Sequence, residues 1–502
     1  RQLIKPDSVE AVGGDAFRFA HALVREAAYE GLPKRLRAEY HERVGDWLAT
    51  RGGETDEIIG YHLEQAHRHW RELGFLGLRT QGVGRDAAAR LESAARGALH
   101  RGDLPGAIGL LERSEALLPP EDAARIALLT RLGAVLFEAG RLADADRVLD
   151  EATDIARKFD EHTLESRAWV ERQFVRLHRE PSSEAVEEAR NAADSALQLF
   201  AEHADDFGQS RAWCLRAAID WLQGQAARAD DAWAQAAVHA KSADEQWQLF
   251  WILGWRASAA VYGPTPVHVA SERCVAIREQ VGSSAIAVAV TLHPIAVLHA
   301  MLGEFDSARA LIRQGNQILE EVGGAVMQSA HSHHEATVEM LAGRPDIAEQ
   351  RLRVGYQKLE EMGENALLST SAALLAQAIY VQGRTGEAER FCAVSERTAA
   401  IDDLSTQVMW RSVRAKILAR QGRGEEGTAL AREAVRLVER TDLLCDHADA
   451  LLDLAEVLSL DPSPTAREER TLVLKAVALY EQKGNIASAS NARTLLSASA
   501  RT

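Results

Sequence analysis

Apolar and small residues recur every three to four positions along most of this chain, in stretches closed at regular intervals by glycine. That period puts them on one face of an α-helix and predicts helix after helix. Gly102, Gly140, Gly224, Gly303, Gly343, Gly383 and Gly422 each end such a stretch. Five positions on stand Ala107, Ala145, Ala229, Ala308, Ala348, Ala388 and Gly427, and seven further on Ser114, Ala152, Ala236, Gly315, Gly355, Ser395 and Ala434. Seven residues are two helical turns, so the small pair shares a face, and short side chains there let two helices cross closely. A period of about 40 with two helices per unit predicts an all-α chain, an α-solenoid whose superhelix holds about ten helix pairs.

Ala325–Gly363 is a typical unit. Its first helix ends at Gly343, Pro345 opens the second, and Gly363 closes it; glycine suits the left-handed C-cap and proline the first helical turn. The closing glycine recurs at Gly282, Gly323 and Gly484. Two units depart from the rule. The one around Arg179–Pro181 lacks its turn glycine, and the one at Gly263-Pro264-Thr265-Pro266 puts His268 where a small residue belongs. A capping helix is expected near Asn485–Ser497. Residues 1–84 do not follow the repeat. Asp15–Phe19 reads as a short strand; Ala20–Glu30, Arg35–Thr50 and Asp56–Leu73 read as helices, with Pro33 as a breaker, and Gly74–Gly84 as a link. The expected organisation is 1–50 as the end of another subdomain, 51–84 as a helical connector, and 85–502 as the repeat domain.

Composition narrows the function. No apolar run approaches the roughly 18 residues that span a bilayer, so no membrane contact is expected. The net charge of −16 argues against nucleic-acid binding by this segment, which wants clustered Lys and Arg. Cys214, Cys274, Cys392 and Cys445 lie far apart with no CxxC pair, a pattern that fits a reducing cytoplasm. Arg1 in place of a methionine suggests a piece of a longer chain.

The most specific text is Phe17-Arg18-Phe19-Ala20-His21-Ala22-Leu23-Val24-Arg25-Glu26-Ala27-Ala28-Tyr29, followed by Leu32–Arg37, Tyr40–Leu48 and Ile58–Ala66. These residues resemble the end of the winged-helix subdomain of signal-transduction ATPases with numerous domains, the STAND group. They are most similar to actinobacterial regulators that join a nucleotidyl cyclase or a transcriptional-activator domain to such an ATPase and a helical-repeat tail. The resemblance covers residues 1–75, and the remainder by architecture. It implies that His21 senses nucleotide by approaching the phosphate of bound ADP, since an imidazole N–H can donate to a phosphate oxygen. No GxxxxGK[ST] occurs, so no cofactor is expected within this chain, and ATP or ADP with Mg would belong to the parent protein. The implied partners are an upstream ATPase domain and a protein or small-molecule effector; a nucleotide-dependent oligomer is compatible with both. The C-terminus carries no DNA-binding helix-turn-helix pattern, which favours an N-terminal effector such as a cyclase. An assembly scaffold, or the non-catalytic part of a class III nucleotidyl cyclase, are the alternatives.

Other constellations carry two readings each. Trp213, Trp221, Trp247, Trp251 and Trp255 fall close together, the last three at i, i+4, i+8 on one face; they line a ligand pocket on the concave side or belong to the core between repeats. His331, His333, His334 and Glu335 form the densest histidine group, with His293 or His299 as a third ligand from a neighbouring helix, yet hydrogen-bonded histidines are the better reading and no metal is expected. His62, His67 and His69 read the same way. Lys34, Arg35, Arg37 and Arg43 form a basic patch that is a solvated helix start or contacts an upstream nucleotide domain or an anionic partner. Carboxylates read as i,i+4 partners of arginine, and no catalytic residues are assigned.

Overall fold

A computed structural model describes residues 3–7, 16–51, 55–280, 285–322, 324–460 and 466–499. The closing glycines Gly282 and Gly323 lie outside the described residues, as does the Asp15 end of the expected strand. The chain divides into two compact units, Arg1–Gly97 with Gly106–Leu128, and Ala98–Pro105 with Leu129–Thr502.

The first unit opens with β1 (Ile4–Asp7) and β2 (Ala16–Phe19), an antiparallel pair in which Ile4 faces Phe19. β1 has no counterpart in the sequence reading. Then come α1 (Ala22–Glu30), α2 (Lys34–Arg51) and α3 (Asp56–Glu72). Helices α2 and α3 cross where Gly45 meets Leu63; a Cβ on that glycine would lie 2.7 Å from Leu63 Cδ2. The expected link Gly74–Gly84 is mostly helix instead, because α4 (Leu78–Arg101) starts inside it. Gly84 is there to let that helix approach His67, whose Nδ1 bonds the Thr80 carbonyl at 2.8 Å.

From α4 onward twenty helices form ten pairs. Pair 1 is α4 with α5 (Leu104–Glu115); pair 2, α6 (Ala123–Glu138) and α7 (Leu142–Lys158); pair 3, α8 (His162–Arg179) and α9 (Ser183–Glu202). Pair 4 is α10 (Asp206–Leu222) and α11 (Ala226–Ser242); pair 5, α12 (Gln246–Tyr262) and α13 (Val267–Gln280); pair 6, α14 (Ala285–Met301) and α15 (Phe305–Val322). Pair 7 is α16 (Ala325–Leu341) and α17 (Pro345–Met362); pair 8, α18 (Asn365–Val381) and α19 (Thr385–Thr398). Pair 9 is α20 (Leu404–Arg420) and α21 (Gly424–Val438); pair 10, α22 (Leu444–Ser459) and α23 (Ala466–Lys483), followed by α24 (Ile486–Ser499). The all-α solenoid is thus observed. Among the described residues no helix is long and apolar enough to cross a membrane.

The repeat rule has a steric basis. All seven turn glycines have positive φ, from 64° at Gly224 to 85° at Gly303, the left-handed region that only glycine enters without strain. Five residues on, and seven beyond that, every alanine and serine is fully buried, from Ala107 and Ser114 to Ala434. The glycines at these positions show why. A Cβ on Gly427 would stand 2.7 Å from the Ala415 carbonyl oxygen, and one on Gly315 would stand 2.6 Å from His293 Cε1. In the irregular pair 5 the buried small residue is Ala270, two positions beyond His268, because the proline-containing turn lengthens the connection. Where pairs 2 to 4 lack a closing glycine, Asp160, Ala204 and Asp244 take its left-handed conformation.

Candidate interaction surface

In the second unit the first helices of successive pairs touch one another (α8 with α10, α12 with α14, α18 with α20, α20 with α22), and second helices show no comparable contact. A row that is crowded on one side curves toward that side. The first helices therefore line the concave face, where solenoids present their binding surface.

That face is built from arginine–carboxylate pairs joining different helices. On α8, Arg167 Nε and Nη2 donate to Asp205 at 2.6 and 2.5 Å, and Glu171 accepts from Arg211 of α10 at 2.5 and 2.7 Å. Arg131 of α6 reaches Glu245, before α12, at 3.0 and 2.7 Å. Arg131 and Arg167 both lie over the Phe207 ring, and Arg211 lies over Phe174. These pairs are 114, 38 and 40 residues apart, so the i,i+4 expectation is corrected here: Arg167 and Arg211 pair across neighbouring repeats and Arg131 pairs across three. The reason is that neither Arg131 nor Arg211 has a carboxylate three or four positions away on its own helix, so each reaches one on another. Beside Arg211, burial pushes the Glu138 carboxyl up to about 7 against the pull of Arg211 and His178. Further along, Asp446, Asp449, Asp453 and Glu456 share one face of α22 and are answered by Ser405, Tyr480, Lys416 and Tyr380. Burial raises Asp449 to about 7.

The tryptophans divide into two groups. Trp247 and Trp251 meet edge to face at 6.0 Å on α12, and Trp251 lies beside Gly324, where a Cβ would stand 3.6 Å from its ring, an ordinary contact. Trp255 turns away and stacks on Trp233 at 5.5 Å, with Trp221 and Tyr262 against them. The stripe splits because each four-residue step rotates the face by about 40° on a helix of 3.6 residues per turn. Trp213 is partly buried against the same core. The buried indole N–H groups of Trp247 and Trp251 find no acceptor, and the buried Gln248 carboxamide meets the Cys214 thiol. In register, Trp247 and Trp251 stand one period beyond Phe207 and Arg211, a relation visible in the sequence.

His293 does join His331 and His334, its ring stacked on His331 at 4.1 Å. Glu335 is drawn away to Asn316 and Arg351, His333 bonds Ser371, and His299 pairs with Glu304. Stacked rings do not converge on a point, and among the described residues no group of three or more His, Cys, Asp or Glu is placed to hold a metal ion. Burial lowers His293, His331 and His334, and brings His333 to about 4.

In the first unit His21 is the N-cap of α1, its Nδ1 accepting from Leu23 N at 3.3 Å, and its side chain is exposed. Tyr29 ties α1 down through His41 and His69, at 2.9 and 3.0 Å, and His41 meets His62 at 2.9 Å. Of the basic patch, Lys34 pairs with Glu72, Arg35 with Glu39, and Arg37 donates to the Glu30 and Leu32 carbonyls; Arg43 is exposed.

No family model matches the chain, and neither does any curated protein. Many solved structures are similar, among them the two that follow. The Rap protein complexed with competence and sporulation factor superposes with a TM-score of 0.52 at 14% identity, over 74% of this chain and 100% of that one. Cut9 in the APC/C hetero-tetramer Cut9–Hcn1 gives 0.52 at 12%, over 91% of this chain and 85% of that one. At such identities the likeness is one of fold: the chain carries a solenoid of tetratricopeptide-like helix pairs.

Proposed function

We propose that this chain is the sensor arm of a STAND-type ATP-binding regulator, which reads a protein or peptide effector on the concave face of pairs 2 to 5. The observation that supports this most is the pair of buried indole donors without acceptors on α12, which an effector reaches once the Trp247 and Trp251 rings swing outward. Buried polar groups are nearly always paired, and two indole N–H groups with a carboxamide match the alternating carbonyls and amides of an extended peptide. The surrounding arginines are already neutralised by internal carboxylates, which favours backbone recognition over charge recognition. The two fold neighbours are a protein complexed with a factor and a subunit of a hetero-tetramer, in keeping with a binding role. The residues matching the winged-helix segment would couple this arm to an upstream ATPase, with His21 near the nucleotide. Occupancy of the arm then shifts the regulator between states only to the extent that it binds one of them better.

The test is a screen of arrayed peptides against the intact chain, read by tryptophan fluorescence. A binding peptide should lose affinity by about 1 kcal/mol or more when Trp251→Phe removes an indole donor. Peptides that bind with Trp251→Phe and Gln248→Leu unaffected would exclude this face. For the regulatory half, deleting 85–502 from a parent that carries the ATPase should change nucleotide exchange; unchanged exchange would leave a scaffold.

A further inference from the structure

A solenoid repeat ordinarily touches only its neighbours in sequence, but here three polar contacts bridge far longer separations. Asn365, opening α18, donates to the Arg179 carbonyl at the end of α8 at 2.5 Å, and Glu364 beside it meets His178 Nδ1 at 2.6 Å. Asp442, in the loop before α22, accepts from Ala226 N and Ala227 N, both at 2.8 Å, and its own amide donates to the Gly224 carbonyl at 3.0 Å. Lys483, fully buried at the end of α23, donates to the carbonyls of Ala260, Gly263 and Thr265 at 3.0, 2.7 and 2.7 Å. Their separations, 186 to 223 residues, place the partners about five pairs apart, one full turn of the superhelix.

We infer that these three contacts form a latch that holds successive turns of the superhelix together and that opens as a unit. Each contact caps a helix end from a distant part of the chain. The first turn of α11 has no cap of its own, since Gln225 makes no side-chain bond there, and the Asp442 carboxylate supplies it, on the positive end of the helix dipole. The Lys483 ammonium sits at the carbonyl end of α12, the negative end. Helix-end groups of this kind exchange their partners for water at low net cost, whereas an apolar seam would be permanent. Apolar contacts accompany them: Thr441 and Leu443 against Gly224, Met362 and Ala325 against Gly140, and Val267 near Gly484. Because the coil connects all three bridges rigidly, separating the turns at one strains the others. This inference concerns the coil alone and stands whether or not an effector binds the concave face.

The amides of Ala226 and Ala227 are natural reporters, since Asp442 is their bond and both lie in the first turn of α11. Hydrogen exchange at these two amides would be compared in the intact chain, in Lys483→Met and in Asn365→Ala. Asn365→Ala touches neither Asp442 nor α11, whereas Lys483→Met removes a charge that acts on Asp442 and a bond to the Gly263 turn that packs on Ala226, so Asn365→Ala is the stricter of the two. A latch that opens as a unit predicts exchange at Ala226 and Ala227 at least about tenfold faster in Lys483→Met, the size of a lost charge-assisted bond, and about fivefold faster in Asn365→Ala, which loses a neutral one. Either variant retaining wild-type helical content with unchanged exchange at both amides overturns the inference. Should Lys483→Met lose helical content, Asn365→Ala decides alone, because Asn365 is only partly buried at a position where alanine favours helix.

Discussion

Replacing His331 by leucine should make the stability of the solenoid less sensitive to acid, by an amount set by the unfolded state. His331 is buried on α16 against the His293 and His334 rings, with Tyr262 packed on His334, and burial lowers it well below its ordinary 6.5. A histidine whose folded value is depressed binds its proton in the unfolded chain first. Below about pH 6.5 the unfolded state therefore gains protons that the folded state refuses, and stability falls as pH falls. Between about pH 7.5 and about pH 5.5 the cost comes to about 1.4 kcal/mol for one ring that stays neutral in the folded chain. The whole chain is a poor place to read this, because the raised carboxyls of Glu138, Asp449 and Asp403 work in the opposite direction. They take up protons in the folded chain while their unfolded counterparts stay ionised, so each stabilises by about 1–2 kcal/mol over the same window. The difference between variant and wild type at each pH removes these contributions. Hydrogen exchange of the α14 and α16 amides supplies it, since the intrinsic exchange rate cancels when both proteins share a buffer. Protection in His331→Leu relative to wild type should rise about tenfold from the higher pH to the lower. An equal ratio at the two values would mean that the ring titrates normally, and the buried stack would then be misread.

Two further outcomes follow from single residues. Ala204 holds φ at 50° where later pairs use glycine, and Ala204→Gly should stabilise by about 0.5–1 kcal/mol, the left-handed strain relieved less the extra freedom of the unfolded glycine; a lower denaturation midpoint would contradict it. Glu171→Ala leaves the Arg211 guanidinium buried without its bidentate partner and should cost about 3–5 kcal/mol in urea unfolding, less where Glu138 is ionised to take over; a loss under about 1 kcal/mol would show that the pair is solvated.

What could be read from residues alone followed the locality of its cause. Turn glycines were legible because the left-handed C-cap penalises every other residue type, and the small pair was legible because a crossing helix excludes a Cβ. Ala325–Gly363 matched α16, its turn and α17, with Gly363 at φ 68°. The N-terminal helices were legible through Pro33 and the polar stretch after α2. β1 was not, since a four-residue strand has too few positions to show alternation. The start of α4 was hidden by Gly77, Gly82 and Gly84, which read as linker but, at Gly84, serve close approach to His67. The tryptophan stripe was legible as a cluster and not as two clusters, because the drift of the face decides which neighbour each ring meets. The inter-helix ion pairs were missed because local spacing holds no record of what the next repeat presents, although the 38- and 40-residue offsets repeat the period itself.

The two irregular places in the sequence account for one another. The position before a closing glycine is apolar in three units, Val281, Val322 and Met362, and is Lys483 in the fourth. Met362 packs against the Gly140 turn of pair 2, so at Met362, as at Lys483, this position faces the previous turn of the coil. Where that turn is regular, its glycine is left-handed and the amides that follow satisfy the last carbonyls of the first helix, as Gly140 N and Arg141 N do for Phe137 and Leu136. An apolar side chain is then sufficient. The turn that Lys483 meets is Gly263-Pro264-Thr265-Pro266, where Gly263 is extended and two prolines bring no N–H. The carbonyls of Ala260, Gly263 and Thr265 consequently need an outside donor, and an ammonium with three N–H groups supplies all three. Burial lowers Lys483 to about 8, yet at neutral pH it keeps the proton that makes three bonds available. A departure from the repeat at pair 5 is thus met by a departure at pair 10, and the array couples pairs that a purely linear solenoid would leave independent.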